Sequence, residues 1–345
     1  MKVAVLTGGG DCPGLNAVIR AIVRRASKHG FEVMGLKDGW KGLLEDNHFR
    51  LTRENTSGIL HRGGTILGTS RVNPFKVENG LDRVLRTIER NGIGALIAIG
   101  GEGTLSAATK MHAEGVKVVG IPKTIDNDIS GTDFTFGFDT AVTIATDAID
   151  RLHSTAESHK RVIVCEVMGR HAGWIATYAG IAGGADVTLI PEVPVELGKV
   201  AEHIVSRHSG GKTFSIVVVA EGTKIKSSPE ETEHVITSGA LDEAGRVRLG
   251  GVGAFIAAEI ERRTGFETRV SVLGHIQRGG TPTAHDRVLA TRYGVHGCDM
   301  VAAGAWGQMA ALKGNQIVSV ELASATRELK TVDQAFFGVA RVFFG

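Results

Sequence analysis

Short apolar runs alternate with longer amphipathic stretches along most of the 345-residue chain. Buried strands that alternate with helices of this length are typical of βαβ units and of a mostly parallel sheet. In such a sheet, ligands gather where the strands end at their carboxyl termini. The pattern predicts strands over residues 2–6, 94–99, 116–121, 161–167 and 214–220, and helices over 15–25, 81–91, 104–114, 139–153, 172–183, 196–209 and 252–264.

The same strand–helix pattern runs on both sides of Phe136-Gly137. It therefore predicts two similar α/β halves, and the cleft between two such halves is a natural place for a ligand. Residues 223–250 interrupt the pattern because they are polar and lack apolar periodicity, with Ser-Ser-Pro-Glu-Glu at 227–231. We interpret this stretch as a surface excursion or a hairpin.

Composition narrows the class of protein. Lys and Arg number 39 against 37 Asp and Glu, a net charge of +2 that does not indicate a nucleic-acid or membrane-surface partner. The three cysteines, Cys12, Cys165 and Cys298, are far apart and form no CxxC pair, which argues against a disulfide framework or a zinc site. No apolar run has the length of a signal peptide or a membrane span. We expect a soluble cytoplasmic protein.

A glycine-rich turn, Thr-Gly-Gly-Gly-Asp-Cys-Pro-Gly at 7–14, follows the first predicted strand. Glycines let backbone amides approach an anion, and a helix N-terminus adds positive potential. We expect Pro13 in the first turn of the helix, where its missing N–H costs nothing. Leu15-Asn16 replaces the Lys-Ser/Thr of a Walker A loop, and no GxGxxG occurs here. A phosphate site and a plain tight turn both remain open for this segment.

Two further turns follow predicted strands. Gly-Gly-Glu-Gly-Thr at 100–104 suits a nucleotide phosphate with magnesium, because Mg²⁺ often takes one carboxylate together with substrate phosphates. In Pro-Lys-Thr-Ile-Asp-Asn-Asp at 122–128, Asp126 and Asp128 would share a side of an extended chain. A carboxylate beside bound phosphate can take the proton of an attacking hydroxyl, and two close carboxylates raise one pKa. Asp-Asn-Asp by itself is a common turn sequence and would be interpreted as a plain loop. Because it lies beside two phosphate-type turns, we favour a catalytic role for its carboxylates.

Four arginines, Arg71, Arg170, Arg269 and Arg278, stand beside glycines or near apolar runs. Guanidinium pairs bidentately with phosphate, so they are candidate ligands, although a solvated surface charge explains each of them equally well. The histidines lack the HExxH order of a metal site, and we interpret them as structural or solvated.

Together the motifs resemble the 6-phosphofructokinase family, in order and over nearly the whole chain. They are Gly-Gly-Asp-Cys-Pro-Gly-Leu-Asn (9–16), Gly-Gly-Glu-Gly-Thr (100–104), Pro-Lys-Thr-Ile-Asp-Asn-Asp (122–128), Glu-Val-Met-Gly-Arg-His-Ala-Gly (166–173) and Leu-Gly-His-Ile-Gln-Arg-Gly-Gly (273–280). The resemblance implies two similar three-layer α/β domains with mostly parallel sheets and an active site in the interdomain cleft. A phosphate-donor domain would comprise residues 1–137 plus about 277–325, and a sugar-phosphate domain 138–276 plus about 326–345.

The resemblance also implies an activity, the ATP-dependent phosphorylation of fructose 6-phosphate at its 1-hydroxyl, a step of glycolysis. Asp126 would be the base, and Thr124, Asp128, Arg71 and Arg170 would be further catalytic residues. Implied donor ligands are Gly10, Arg71, Val72, Gly101, Glu102, Gly103 and Thr104, with Glu102 also holding Mg²⁺. Implied sugar ligands are Thr124, Ile125, Asp126, Arg161, Met168, Gly169, Arg170, Glu221, Arg269, His275, Ile276, Gln277 and Arg278.

Site sharing between subunits is part of the resemblance. His275 and Arg278 would bind the 6-phosphate, helped by Arg161 and Arg269 of a neighbouring subunit, which makes the expected assembly a homotetramer. Arg20 and Arg24 lie where regulated bacterial members use arginines for effectors, but surface arginines are common on helices and we carry no regulation over.

The donor signature is mixed. Many members carry Asp where Glu102 stands, and the longer carboxylate still reaches magnesium. In this family a glycine at position 103 leaves space for the α-phosphate of ATP, whereas Lys123 is typical of pyrophosphate users. A side chain that filled the α-phosphate space at position 103 would exclude ATP, whereas the side chain of Lys123 can move aside. Gly103 therefore favours ATP as the donor, and pyrophosphate is the alternative donor. The pair resembles an actinobacterial-type subgroup in which both kinds of enzyme have similar sequences.

Two other classes remain as alternatives. A kinase of NAD or lipid shares the Gly-Gly-Asp-Gly-Thr type of turn but does not need His275 and Arg278. A non-enzymatic sugar-phosphate sensor would bind without turnover, and Asp126 argues against it.

Overall fold

The computed structural model describes residues 1–226, 234–241 and 247–343. Its strands are β1 (Lys2–Gly8), β2 (Glu32–Leu36), β3 (His48–Leu51), β4 (Ile93–Gly100), β5 (Val118–Pro122), β6 (Val162–Val167), β7 (Val187–Leu189), β8 (Val195–Glu196), β9 (Ser215–Ala220), β10 (Lys224–Lys226), β11 (His234–Val235), β12 (Thr237–Leu241), β13 (Val247–Leu249), β14 (Thr268–Val272), β15 (Gln308–Lys313) and β16 (Gln316–Glu321). Its α-helices are α1 (Leu15–Ala26), α2 (Trp40–Glu45), α3 (Gly80–Asn91), α4 (Glu102–Ala113), α5 (Phe138–His159), α6 (Trp174–Ala182), α7 (Leu197–Ser209), α8 (Val252–Thr264), α9 (Ala284–Ala303), α10 (Leu322–Ala325) and α11 (Gln334–Arg341). Short 3₁₀ helices cover Pro74–Lys76 and Gly274–Arg278.

The chain forms two compact units. The first comprises Met1–Thr140 and Arg278–Leu329, and the second comprises Ala141–Gln277 and Lys330–Gly345. The boundary therefore passes through the His-Ile-Gln-Arg motif, with Gln277 in the second unit and Arg278 in the first.

A seven-stranded sheet in the order β16-β15-β5-β4-β1-β2-β3 forms the centre of the first unit. The five inner strands run parallel, whereas β3 and β16 are antiparallel edge strands. Parallel strands are covered on both faces, which explains why the inner strands are continuous apolar runs. The register pairs Gly8 with Gly100 and Gly100 with Pro122, so β1, β4 and β5 end side by side.

Helices cover both faces of this sheet. On one face, Leu6, Leu96 and Leu105 belong to a buried cluster that α2, α3 and α4 complete. On the other face, α9 packs so closely on the sheet that a Cβ added to Gly297 would lie 2.8 Å from the Ile121 Cδ1 atom. The apolar pattern predicted a mostly parallel sheet with helices, and the family resemblance implied the three layers seen here.

The second unit contains a four-stranded parallel sheet in the order β14-β6-β9-β7. Val164, Val217 and Ile256 belong to the core between this sheet and the helices α7 and α8. Helix α6 packs closely as well, because a Cβ at Gly180 would lie 2.2 Å from the Thr188 hydroxyl oxygen. The fold class, α/β with mostly parallel sheets, is thus as predicted.

The segment 223–250 contains two antiparallel strand pairs, β10 with β11 and β12 with β13, as expected of hairpins. Its Ser-Ser-Pro-Glu-Glu stretch at 227–231 lies outside the described residues. Within the described ranges, no helix combines the length and apolar character needed to span a bilayer.

Candidate active site

The first unit brings three turns together at one edge of its sheet. They are residues 8–14, 100–104 and 122–128, and they follow the neighbouring strands β1, β4 and β5. Because Gly8, Gly100 and Pro122 are register partners, the three turns begin in one row. The glycine-rich turns and the Asp-Asn-Asp turn of the sequence are therefore parts of one surface.

The first turn depends on glycine. Gly9 and Gly14 have φ values of +88° and +104°, which L side chains rarely adopt. Gly10 leaves room for an arginine, since a Cβ there would lie 2.7 Å from the Arg278 Nη1 atom. The expectation that Pro13 lies in the first helical turn is wrong: α1 begins at Leu15, because the left-handed backbone of Gly14 separates Pro13 from the helix.

The second turn leads directly into α4. Glu102 is its first residue and is half-buried, and Gly103 is exposed. Thr104, an implied donor ligand, is buried, and its side chain packs on the two strand ends. A Cβ at Gly100 would lie 2.3 Å from the Thr104 Cβ, and one at Gly8 would lie 2.6 Å from its hydroxyl oxygen. Both strand ends therefore require glycine.

Lys123, in the third turn, points into the first. Its side chain is only 2% exposed, and its ammonium donates a hydrogen bond to the Gly10 carbonyl at 2.6 Å. Burial lowers the pKa of Lys123. Arg278 donates to the next carbonyl, that of Asp11, at 3.2 Å. Two cations thus converge beneath the glycine-rich turn, where phosphate would need positive charge.

Asn127 determines the shape of the Asp-Asn-Asp turn. The expectation of an extended segment is wrong, because Asn127 is in the left-handed region at φ +51°. Its side chain is 1% exposed, accepts from Thr135 N at 3.0 Å and donates to Asp133 O at 3.4 Å. The Thr135 hydroxyl in turn donates to Thr124 O at 2.7 Å. The turn is therefore held at both ends by residues 133–135.

Asp126 and Asp128 interact in spite of this bend. The pKa of Asp128 is raised to about 7, first by burial and second by the negative charge of Asp126. Asp126 Oδ1 is buried and has no hydrogen-bond partner among the described residues, while Asp126 N donates to the Thr124 hydroxyl at 3.0 Å. A buried acceptor without a partner is costly. It is therefore suited to receive a hydrogen bond from a ligand.

Other implied ligands of the first unit vary in accessibility. Arg71 is exposed, whereas Ile125 is fully buried, and the half-buried Val72 packs against the sheet core. Gly101 precedes α4 with an extended backbone, at φ −83° and ψ −169°.

No group of three or more His, Cys, Asp or Glu side chains suited to a metal is found in the part of the chain that the structure describes. Mg²⁺ commonly takes one or two carboxylates and keeps phosphate and water for its other positions. The negative charge of Glu102 also helps to raise the pKa of Asp128, so the turns carry enough carboxylate for such an ion.

In the second unit, the implied sugar ligands Met168, Gly169 and Arg170 follow β6 directly. Met168 N donates to the side chain of Gln277 at 3.3 Å, and Gly169 has φ +142°. Gln277 is fully buried and its amide also donates to Gly274 O at 3.1 Å. Its side chain therefore positions two segments of the chain instead of facing solvent.

Three further residues that the resemblance implies as sugar ligands are Glu221, His275 and Ile276. Glu221 follows β9, the neighbour of β6, and is half-buried. His275 and Ile276 are exposed, Ile276 by 61%.

Glu267 brings two implied phosphate ligands together. Its Oε2 atom lies 2.8 Å from Arg161 Nε, and its Oε1 atom accepts a hydrogen bond from Arg269. The Arg161 guanidinium is the main cause of the lowered pKa of Glu267. Sequence reasoning did not single out Glu267, although its spacing in Glu267-Thr268-Arg269 places it beside one of the two arginines.

Comparison with known proteins decides the family. Residues 2–301 match the family model described as Phosphofructokinase. The chain belongs to the phosphofructokinase family. The family and the fold class that the motifs indicated are both confirmed.

The relatives are named for two different phosphoryl donors, pyrophosphate and ATP. A protein of Amycolatopsis methanolica named pyrophosphate–fructose 6-phosphate 1-phosphotransferase is 56% identical over 100% of both chains. A Mycobacterium tuberculosis protein named ATP-dependent 6-phosphofructokinase is 54% identical, also over 100% of both. A solved phosphofructokinase structure from Saccharomyces cerevisiae has a TM-score of 0.79 and 32% identity, and covers 99% of this chain and 46% of the yeast chain. The mixed subgroup that Gly103 and Lys123 indicated is thus reflected among the relatives.

Proposed function

We propose that the chain transfers a phosphoryl group from ATP to the 1-hydroxyl of fructose 6-phosphate and forms fructose 1,6-bisphosphate. The observation that carries the proposal is the buried, unpartnered Asp126 Oδ1 in a row of three phosphate-type turns. The names of relatives over the full length of the chain support phosphoryl transfer to fructose 6-phosphate, with pyrophosphate named as the donor in one and ATP in the other.

In the proposed reaction the 1-hydroxyl oxygen attacks the terminal phosphorus, the bond from that phosphorus to ADP breaks, and Asp126 takes the hydroxyl proton. Thr124 orients Asp126 through its hydrogen bond to the Asp126 amide. The raised pKa of Asp128 keeps its proton available beside Asp126, which limits the negative charge of the pair. A positioned base of this kind contributes typically 10²–10⁴-fold to the rate.

The donor is assigned to the turns of the first unit. The implied ligands of its phosphates and base are Gly10, Gly101, Gly103, Thr104, Arg71 and Val72. Lys123 would add positive charge through its hydrogen bond to the Gly10 carbonyl beneath the first turn. Magnesium, held by Glu102 and the donor phosphates, would supply further charge neutralisation when bound.

The sugar phosphate is assigned mainly to the second unit. Met168, Gly169, Arg170 and Glu221 would contact the sugar, along with Ile125 and Thr124 of the third turn, and His275, Ile276, Gln277 and Arg278 would lie at its 6-phosphate. Arg161 and Arg269 would be contributed by a neighbouring subunit in a homotetramer. Their meeting at Glu267 supports a shared role as a guanidinium pair. We propose a cytoplasmic enzyme, because the proposed reaction is a step of glycolysis.

Gly103 favours ATP over pyrophosphate because it is exposed in the first turn of α4, where a side chain would project toward a bound nucleotide. Lys123 supports the second candidate, pyrophosphate, because its ammonium already lies at the glycine-rich turn.

Initial rates with fructose 6-phosphate and magnesium, measured with ATP and with pyrophosphate side by side, test the proposal. We expect turnover with ATP, and we expect Gly103→Asp to lower kcat/KM for ATP by about 100-fold, since like charges brought together cost several kcal/mol. Gly103→Ala serves as the smaller uncharged control. Turnover with pyrophosphate alone would refute the donor assignment, and no bisphosphate with either donor would refute the reaction.

A further inference from the structure

One carboxylate in the second unit joins two distant parts of the chain. Both oxygens of Glu192 accept from Gly173 N, at 3.0 and 3.1 Å, and Oε1 also accepts from Val332 N at 2.9 Å. Gly173 ends the segment that carries Met168 and Arg170, and Val332 belongs to the C-terminal segment 330–341. Glu192 therefore links the implied sugar-binding segment to the C-terminal part of the chain.

Trp174 strengthens this link from the next position along the chain. Its indole N–H donates to Lys330 O at 2.9 Å, and the Lys330 ammonium lies 5.5 Å from the centre of the indole ring. Phe336 of α11 packs on both Trp174 and Tyr178, with ring centres 5.9 and 5.0 Å apart. The first turn of α6 is thus covered by the C-terminal segment through polar and aromatic contacts.

Close packing leaves no room for a side chain at Gly173. A Cβ added to Gly173 would lie 2.4 Å from Ile190 and 3.0 Å from Glu192 Oε2, so the backbone touches the residues that hold it. At the other end of the same segment, Met168 N is held by Gln277, and Gly169 O accepts from Gly222 N at 3.1 Å. Glu192 holds the end of the segment 168–173 that is nearest to α6, through its hydrogen bonds with Gly173 N.

We propose that Glu192 is a positioning residue through which the C-terminal segment 330–341 sets the affinity for the sugar phosphate. The inference rests on the proposed function, because that function assigns the sugar to Met168, Gly169 and Arg170. Misplacing a binding group by about 1 Å can cost 10²-fold in activity, so an anchor at the end of such a segment has a measurable effect.

The test uses Glu192→Gln and Trp174→Phe in the full chain. Glu192→Gln keeps the shape of the side chain but turns one acceptor into a donor that faces backbone N–H groups. Trp174→Phe removes the N–H that binds Lys330 O and replaces the indole with a smaller ring. We expect the KM for fructose 6-phosphate to rise about tenfold in Glu192→Gln and about threefold in Trp174→Phe, well within the range that misplaced groups produce. The KM for ATP is expected to stay within twofold, because the assigned donor turns lie in the first unit.

Val339→Ala is the matched control. Val339 lies on the same C-terminal helix but is 48% exposed, so this variant is expected to match the wild type in both KM values. Glu192→Asp, which keeps the charge on a shorter side chain, is expected to recover part of the affinity that Glu192→Gln loses.

Hydrogen exchange of the backbone amides of residues 170–174 gives a readout that does not need activity. We expect Glu192→Gln to speed exchange at Gly173, because its N–H loses one of its two acceptors and faces an amide NH₂ group in its place. Unchanged exchange, or a lowered melting temperature with an unchanged KM for fructose 6-phosphate, would overturn the inference while leaving the proposed function intact. A wild-type chain that forms no bisphosphate would overturn the proposed function, and the exchange result would still decide whether Glu192 holds the segment.

Discussion

The two units of the molecule hold their candidate residues in different ways. In the first unit, the candidate turns follow three neighbouring strands directly, and the sheet register alone places Gly8, Gly100 and Pro122 in one row. In the second unit, the segment after β6 is held by side chains from remote positions, Gln277 at one end and Glu192 at the other. The position of a candidate segment at a strand end is therefore readable from the sequence, whereas the remote side chains that hold it are not.

The comparison between the two units predicts that a substitution in the first unit causes the largest loss of turnover. Replacing Asp126 by Asn removes the proposed base and is expected to lower kcat by about 10²–10⁴-fold. The KM for fructose 6-phosphate is expected to stay within about threefold, because Asn keeps the size and polarity of the side chain. Steady-state rates with and without the change measure both values. A variant with more than half of wild-type turnover would show that Asp126 is not the base.

A second prediction concerns Asn127, where the first unit itself depends on remote contacts. Asn127→Ala loses the hydrogen bonds to Thr135 and Asp133 and also forces alanine into the left-handed region, whereas Asn127→Gly loses only the bonds. The left-handed backbone costs a residue with a Cβ roughly 1–2 kcal/mol. We expect Asn127→Ala to be less stable than Asn127→Gly by about 1 kcal/mol in urea unfolding.

Both Asn127 variants are expected to lose turnover, since the turn that carries Asp126 is released from residues 133–135. Thr135→Ser keeps the hydroxyl that binds Thr124 O and serves as the control with near-normal turnover. Equal stability of the alanine and glycine variants would contradict the backbone argument, and wild-type turnover in both would show that the side chain does not position the turn.

The smallest expected effect on turnover belongs to the second unit. Gln277→Glu keeps the acceptor for Met168 N but loses the donor to Gly274 O and places a carboxylate in a fully buried position. An unsatisfied buried polar group costs about 1–3 kcal/mol, more if charged. We therefore expect lower stability at neutral pH and a raised KM for fructose 6-phosphate, with kcat changed less than in the Asp126 variant. Because burial raises the pKa of a carboxyl group, stability should recover as the pH falls and the introduced carboxylate takes up a proton.

Unfolding curves at pH 7.5 and 5.5 separate the charge effect from the lost donor, with Gln277→Met as an uncharged control of similar size. If the change in pH alters the stability of Gln277→Glu and of the wild type by the same amount, the new carboxylate is not buried. If the KM for fructose 6-phosphate is unchanged in both variants, the Met168 segment does not need Gln277.

Sequence alone determined the fold class, the strand–turn order and the family. Buried parallel strands must be continuous apolar runs, and phosphate-type turns must follow their carboxyl ends, so both leave a local pattern. The prediction missed the helix α9 and the edge strands β3 and β16, whose burial patterns are mixed. It also missed β2, β7, β14 and β15, which are parallel strands of the two sheets. Helix α9 buries Tyr293, Gly294 and Cys298 among polar neighbours, which weakens the apolar spacing that periodicity detects.

Only the tertiary structure decided which side chains hold the candidate site. Three sets of hydrogen bonds join residues from six to 140 positions apart. They are the bonds of Asn127 to residues 133–135, the bond of Lys123 to Gly10 O, and the bonds of Glu192 to Gly173 and Val332. A polar residue in one part of the sequence carries no local sign of a partner that far away. Hydrogen bonds of this kind are directional and short, so they exist only once the strands and helices have brought donor and acceptor within about 3 Å.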